Sequence, residues 1–393
     1  MNKIPTRDRI PFLTSNLSRY PTLAELRASA FFAECHDEIE ALLGTAEIFA
    51  CSTASPRLSS FIRVTQWNVE KGRRAAGILD VLQRDPVLQW ADAILLNEAD
   101  RGMNRSGNRH VAAVLADGLG MHMAFAPAHL ELTKGTEDEL LIEGENQESM
   151  QGNAILSRHP IAEALVVSLP VCFEPFEFSE KRYGRRVCLW ARLKMRSRSV
   201  WIGSVHLEVR NTPRCRALQM RHVLSRLPGG PEEAYLLGGD LNTNGFSRGT
   251  QWRTLTSMAR LVRHSPSEMR KSLVHPERGC EPLFRFVREA RFAWEGFNSE
   301  GHTATAPIGG LEEAHMVPAA VLKAVRRRME RYRGHLQLKL DWLLARGIRP
   351  LGSGDVTDAE TGVVSVAPGR VNTTTMGPER LSDHLPIYAD ISI

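Results

Sequence analysis

The sequence predicts an α/β protein built from two packed sheets covered by helices. Two observations lead there. Short apolar or alternating segments of strand character recur from Phe61 to the end of the chain, and stretches with helical periodicity separate several of them. A third observation concerns polarity: strand after strand ends abruptly in carboxylate, amide or imidazole side chains, at the positions where a layered scaffold lets loops converge on one edge.

Taken in order, residues 1–60 read as an N-terminal extension. Thr22-Leu23-Ala24-Glu25 matches a capping box, in which the Thr hydroxyl accepts from the Glu backbone N–H and the Glu side chain reaches back. A helix to Leu43 is expected, stopped at Gly44. The Ser/Thr/Pro stretch Cys51–Ser60 reads as a linker. Phe61–Trp67 alternates and is rich in β-formers, hence a strand; Ala75–Leu82 is helical; Ala93–Leu96 is a buried strand ending at Asn97-Glu98. A helix over His110–Leu119 and a strand over His122–Pro127 follow. Thr133–Gln151 carries Glu137, Asp138, Glu139, Glu143, Glu145 and Glu148 and is expected to be a solvated surface loop. Strands are predicted over Ala154–Ser157, Ala164–Leu169, Val187–Leu193 and Val200–Leu207, a helix over Arg214–Leu227, and a strand over Ala234–Leu237 that stops at Gly238-Gly239-Asp240. Residues 247–335 read as a largely helical insert, and strands return at Leu338–Leu344 and Leu385–Ile393.

Composition bounds the function without naming it. With 393 residues, 42% of them hydrophobic, the chain can bury a sizeable core. A formal charge of +5 suits a phosphate-bearing partner but is shared by many ordinary enzymes. None of the six cysteines forms a C-x-x-C pair, which argues against zinc ribbons and thioredoxin-like chemistry; isolated cysteines are expected to be reduced core residues of a cytosolic protein. No apolar run approaches the roughly 18–20 residues that span a bilayer. The opening MNKIPTRDRIPFLTSN lacks the apolar core of a signal peptide, so a cytoplasmic location is the expectation.

The strand-end residues have a common chemistry. Mg²⁺ takes hard oxygen ligands and keeps several waters; Glu70, Glu98 and Asp383 offer carboxylates and Asn68 a neutral oxygen. Hydrolysis needs a carboxylate to take the proton of an attacking water, for which Asp240 is the candidate, with Asn242 holding the water or a phosphate oxygen. A cationic His384 would stabilise phosphoryl charge, and Asp341 could fix its tautomer.

These segments, in the order N-x-E, L-x-E, V-H-L, G-D-x-N, L-D-W and S-D-H-x-P, resemble the endonuclease/exonuclease/phosphatase superfamily, which includes DNase-I-like nucleases, neutral sphingomyelinases and inositol polyphosphate 5-phosphatases. The resemblance runs from Phe61 to Ile393 and leaves out residues 1–60 and much of 247–335. It implies a four-layer α/β/β/α sandwich of two mixed sheets flanked by helices, Mg²⁺ or Mn²⁺ dependence, and in-line attack by water. Asn68, Glu70, Glu98 and Asp383 would form the metal end, and His206 would bind or protonate near the phosphate. Asp240 and Asn242 would orient the nucleophile, and Asp341 would pair with His384. Glu70 stands where a shorter Asp or Asn is commoner, Asn97 where Gln usually precedes the metal-ligating Glu, and Leu340-Asp341-Trp342 replaces the more usual Asp-Tyr/His.

Blander readings compete with each assignment. Asp240, Asn242, Glu98, Asp383 and His384 could be turn-forming polars, and Asn68 and His206 satisfied core polars. Arg105 and Arg109 lie just past Glu98, and their guanidinium forks suit substrate phosphate; the alternative is loop salt bridging. Asn153 and Arg158 either touch substrate or support the fold. Lys323–Lys339 reads as an amphipathic basic helix, either a solvated face or a contact for nucleic acid or anionic lipid. Trp252, Trp294 and Trp342 either stack on bases or, as scattered tryptophans usually do, belong to the core. The expected function is a metal-dependent phosphodiesterase of nuclease type; the alternative is a phosphatase or phospholipid phosphodiesterase acting on an inositol phosphate or sphingolipid head group.

Overall fold

In a computed structural model, residues 7–195, 198–230, 232–248, 250–307, 318–330, 335–373 and 380–392 are described. Helices α1 (Ile10–Ser18), α2 (Leu23–Arg27) and α3 (Ala30–Gly44) precede β1 (Glu47–Phe49). The chain continues through β2 (Phe61–Asn68), α4 (Ala75–Arg84), β3 (Ala93–Arg101), α5 (Val111–Leu119), β4 (His122–Glu131), α6 (Glu137–Leu140) and β5 (Met150–Ser157). Then come β6 (Ile161–Ser168), β7 (Arg182–Gly184), β8 (Val187–Lys194), β9 (Ser199–His206), α7 (Pro213–Leu224) and β10 (Ala234–Asp240). The insert contributes α8 (Gln251–Arg263), α9 (Pro266–Val274), α10 (Leu283–Glu289), β11 (Ala304–Pro307), α11 (Ala319–Met329) and β12 (His335–Leu338). The chain closes with β13 (Asp341–Arg346), β14 (Gly369–Arg370) and β15 (Ile387–Ser392).

Two mixed sheets result. One runs β1-β4-β5-β3-β2-β15-β14, with β7 added beside β4; the other runs β13-β10-β9-β8-β6. Among the described residues only β2–β3 and β9–β10 pair in parallel within them, each joined by a crossover containing a helix. The period of two along each strand builds the layers. On β2, Ile62 and Val64 point between the sheets, while Trp67 points outward to α4 and α5. On β10, Leu236 points inward, while Tyr235 and Leu237 pack under α7 and α10. The fold is therefore a four-layer α/β/β/α sandwich. Near one edge the sheets close up: a Cβ on Gly238 would lie 2.5 Å from Leu95 and 2.8 Å from Leu343. Glycine there lets β3, which runs past the expected end at Glu98 to Arg101, approach β10, which ends at Asp240.

Several expectations need correction. The single helix from Thr22 to Leu43 is two, because Ser29 caps a second start by accepting from the Phe32 N–H. These N-terminal helices share an apolar cluster with Leu130, Met150, Phe176 and Tyr183 of the sandwich. The segment 338–344 is split: β12 pairs with β11 in a separate ribbon, and only β13 joins the main sheet. Thr133–Gln151 is a solvated loop only in part: Asp138, Glu143 and Glu145 are exposed, whereas Glu139 and Glu148 are buried and ion-paired, Glu139 to Lys71 and Glu148 to Arg101. Nor are all the cysteines isolated, because Cys172 and Cys215 form a disulfide that ties the β6–β7 connection to α7. In the basic segment, Lys323, Arg326 and Arg327 lie exposed on α11, whereas Lys339 is buried over Trp342. Arg331, Tyr332 and Arg333 fall outside the described residues. Trp294 and Trp342 are core residues, but Trp252 is 78% exposed. No helix among the described residues is long and apolar enough to cross a membrane.

Candidate active site

The strand registers bring distant residues side by side. Asp240, the last residue of β10, is level with His206 on β9 and with Asp341 on β13. Asn68 and Asn97 are level across β2 and β3 in the other sheet. Because the sheets are close at this edge, Asn68 Nδ2 reaches both Glu98 Oε1 and Asp240 Oδ2, each at 3.1 Å. Glu70, Glu98 and Asn242 all adopt positive φ, of 47°, 56° and 50°. Each such conformation costs a non-glycine residue on the order of 1–2 kcal/mol, and here it redirects a polar side chain, just past a strand at Glu70 and Asn242 and within one at Glu98. At Glu98 the cause is local: the β3–β5 ladder shifts register between Leu96 and Ala99.

Asp240 is the hub. Its Oδ1 accepts from the Asn242 N–H at 2.9 Å, and its Oδ2 lies 3.4 Å from His206 Nε2 and 3.6 Å from His384 Nε2. Burial, with Asp341 and Glu98 nearby, pushes its carboxyl up to about 7 against the opposing pull of His384. Asn242 turns its amide nitrogen to the Leu207 carbonyl at 2.9 Å. It thus braces the Asp240 loop through both its backbone and its side chain.

His384 Nδ1 is 2.7 Å from Asp341 Oδ2. Burial alone would lower its pKa, but Asp341, then Asp383 and Asp240, hold it well above the usual imidazole value, so the ring is cationic. His206 differs: burial, then Arg186 and His384, holds it well below that value, so the ring is neutral. Two histidines in one site are therefore driven to opposite protonation states. Among the described residues, Asp240, Asp341 and His384 bring their ligand atoms within 4.8 Å of one another. The 2.7 Å contact makes this a hydrogen-bonded relay. The oxygen-rich side of the site is elsewhere, where burial, then Asp383, with Glu98 adding to it, pushes the Glu70 carboxyl up. A carboxyl pushed up by acidic neighbours belongs to a donor set that a hard divalent cation would relieve.

Supporting residues had no role in the sequence reading, and Thr303 was not singled out at all. Thr303 Oγ1 donates to Asp341 Oδ2 at 2.6 Å and accepts from the Leu340 and Asp341 N–H groups. Ser382 donates to the Asn68 carbonyl at 2.6 Å, tying the last motif to the first. Asn97 accepts from the Asp240 N–H at 2.8 Å and from Gln66, and donates to Asn153 and Ser204. The residue standing in place of the usual Gln thus stitches the two sheets beneath the site. Thr303 left no local signal, because its partner lies 38 positions away.

Arg105 does not reach the site, contrary to the phosphate-gripping expectation. Its side chain is 0% exposed and meets Asp100 at 2.8 Å, Glu180 at 3.0 Å and Glu139 at 3.4 Å. A guanidinium enclosed by carboxylates is not available to a ligand. Arg109 is exposed and lies outside the cavity lining. Arg158 donates to the Ala91 and Leu119 carbonyls, and Asn153 to Val187, so both support the fold. A cavity of about 400 Å³ opens over Asp240, His206 and His384; its far wall is apolar, with Phe246, Met258, Val325 and Leu338 from the insert and its flanks.

A sheet pair with an Asp–imidazole relay and a cluster of acids at its shared edge defines a class of hydrolases that act on phosphate esters. The chain belongs to the endonuclease/exonuclease/phosphatase family, whose profile matches residues 65–384. No curated protein matches the sequence. Among solved structures it is similar to an endonuclease/exonuclease/phosphatase from Beutenbergia cavernae, at 19% identity over 85% of this chain and 72% of that one, with a TM-score of 0.47. It is also similar to the human Nocturnin catalytic domain with bound sulfate, at 15% identity over 88% and 97% of the two chains and a TM-score of 0.45. A third similar structure is the 3′-5′ exonuclease of Neisseria meningitidis, at 14% identity over 84% and 100%, with a TM-score of 0.44.

Proposed function

We propose that the protein is a Mg²⁺- or Mn²⁺-dependent phosphodiesterase of nuclease type that hydrolyses its substrate by in-line attack of water. One observation carries this reading: the Asp240 carboxylate meets Asn68, His206 and His384 at 3.1–3.6 Å, with the acids Glu70, Glu98 and Asp383 beside them. In this scheme Asp240 takes the proton of the attacking water. Asn242 holds Asp240 in place, His384 offers positive charge to the phosphoryl oxygens with Asp341 fixing its tautomer, and neutral His206 donates a hydrogen bond. Asn68, Glu70, Glu98 and Asp383 would hold the cation, which would stabilise charge developing on the phosphoryl group. The apolar cavity wall favours a second reading, a phospholipid phosphodiesterase. The exposed Trp252 and the basic face of α11 suit either a nucleic acid or an anionic lipid surface.

The test is a substrate panel with Mg²⁺: plasmid, abasic duplex, single-stranded RNA, inositol phosphates, sphingomyelin and bis-p-nitrophenyl phosphate. Turnover of a nucleic acid, abolished by EDTA, is expected; turnover of sphingomyelin alone would select the second reading. Metal binding also has a readout independent of activity. A cation bound only by the folded state at a hundredfold excess over Kd stabilises by about 2.7 kcal/mol, so Mg²⁺ or Mn²⁺ should raise Tm. An unmoved Tm would count against the acid cluster as a metal site.

The pH profile follows from Asp240. A base works only when deprotonated, and burial moves this carboxyl up to about 7. Below that pH kcat/KM should fall about tenfold per unit. Bound cation favours the carboxylate, so rising Mg²⁺ should shift the acid limb to lower pH. A profile flat from pH 5 to 8 at low Mg²⁺ would remove Asp240 from the role of base.

A further inference from the structure

Glu70 sits on a turn that its own residue types disfavour. Just past β2, Glu70, Lys71 and Gly72 have φ of 47°, 67° and 68° in succession. Only the glycine adopts such angles freely. For residues with a Cβ the left-handed region is costly, and two in a row persist only where the surroundings hold them. On either side the chain is fixed: the Glu70 N–H donates to Asn68 Oδ1 at 3.1 Å, and a Cβ on Gly72 would lie 2.3 Å from Val111 of α5. Between them Lys71 is fixed by its side chain. Its Nζ donates to both Glu139 oxygens at 2.8 Å and to Glu180 Oε1 at 3.1 Å, so all three ammonium hydrogens are engaged and none is left for a substrate. The two acids are anchored in turn. Arg105 reaches Glu180 at 3.0 Å and Glu139 at 3.4 Å, and Arg182 pairs with Glu180. Glu139 belongs to α6 and Glu180 to the β6–β7 connection, so segments 68 and 109 positions away converge on one residue of this turn.

We propose that Lys71 is a positioning residue for the metal end of the site: gripped by Glu139 and Glu180, it holds the left-handed turn that orients Glu70. The proposal rests on the reading above that Glu70, Glu98 and Asp383 hold a divalent cation, and it adds two remote acids as the support of that site. Groups that orient a metal ligand without touching the metal set its affinity, typically by about 10–100-fold. Lys71 acts through geometry and not through its charge, since a positive charge next to the site opposes the binding of a cation.

Titration calorimetry of the full chain with Mn²⁺, and the rise in Tm that Mg²⁺ or Mn²⁺ produces, read the metal site without turnover. Compared with wild type, Lys71→Met should bind either cation about tenfold more weakly. Lys71→Asn should do the same, because Asn accepts the left-handed angle but is too short to reach Glu139. Lys71→Arg, which keeps length and charge, should recover most of the affinity. The double variant Lys71→Met/Glu139→Gln removes one charge of each sign; it should also bind about tenfold more weakly, and it serves if the single variant fails to fold. With bis-p-nitrophenyl phosphate, the Mg²⁺ concentration for half-maximal rate should rise about tenfold in Lys71→Met, while kcat at saturating Mg²⁺ stays at the wild-type value. Cation binding by these variants equal to wild type or tighter would overturn the proposal, tighter binding being what the loss of a neighbouring positive charge alone produces. A lower kcat at saturating Mg²⁺ with unchanged metal affinity would also overturn it and place Lys71 on the substrate. If wild type binds neither cation, the metal reading itself fails, and the role of Lys71 fails with it.

Discussion

Asp240→Asn is expected to lower kcat at least about a hundredfold, the usual scale for loss of a general base, without unfolding the protein. The substitution is nearly isosteric, so the Asn242 N–H, 2.9 Å from Oδ1, keeps an acceptor. What is lost is basicity. An amide cannot take a proton from water, and it no longer offers His384 and His206 a negative charge at 3.6 and 3.4 Å. KM should change far less than kcat, because the interaction lost is realised as the proton moves. Circular dichroism and Tm would verify folding, and kcat near that of wild type would remove Asp240 from the mechanism.

Arg105→Met is expected to act on stability. The side chain of Arg105 is wholly enclosed, with Asp100, Glu139 and Glu180 within 3.4 Å and Glu131 at 3.6 Å. Methionine fills much of the volume but leaves these acids to Lys71, Arg182 and, at 3.8 Å from Glu139, Arg73. Removing one partner of a buried ion pair costs about 3–5 kcal/mol, because the remaining charges stay desolvated. Denaturant unfolding of the variant should report a loss of that size, while KM of the protein that remains folded should stay near the wild-type value. A rise in KM without loss of stability would restore Arg105 as a phosphate ligand. The same cluster explains why the acidic stretch around Glu139 is ordered: Lys71 Nζ sits 2.8 Å from both Glu139 oxygens, one residue after Glu70.

The sequence by itself determined the strands that carry the site, because their signal is local. Phe61–Asn68 and Ala234–Asp240 are β-forming runs buried at every position, and each ends where a polar residue interrupts it. That Asn68, Glu98, His206, Asp240 and His384 come together was legible too, because a buried apolar segment has no cause to carry such groups unless they share a polar pocket. Periodicity also exposed α4, α5 and α7, with only their ends displaced.

Only the tertiary structure decided what each charge does. Arg105 and Arg186 are the same residue type in similar loop positions, yet one is enclosed by acids and the other lines the cavity. Besides Asp100, five positions away, Arg105 is enclosed by Glu139 and Glu180, 34 and 75 positions away, which no local pattern encodes. Thr303 binds Asp341, Cys172 meets Cys215, and Ser29 divides a helix whose apolar spacing runs unbroken. A strand or helix is chosen largely by neighbours within a few residues, whereas the fate of a charge or thiol depends on which side chain packing brings within about 3 Å.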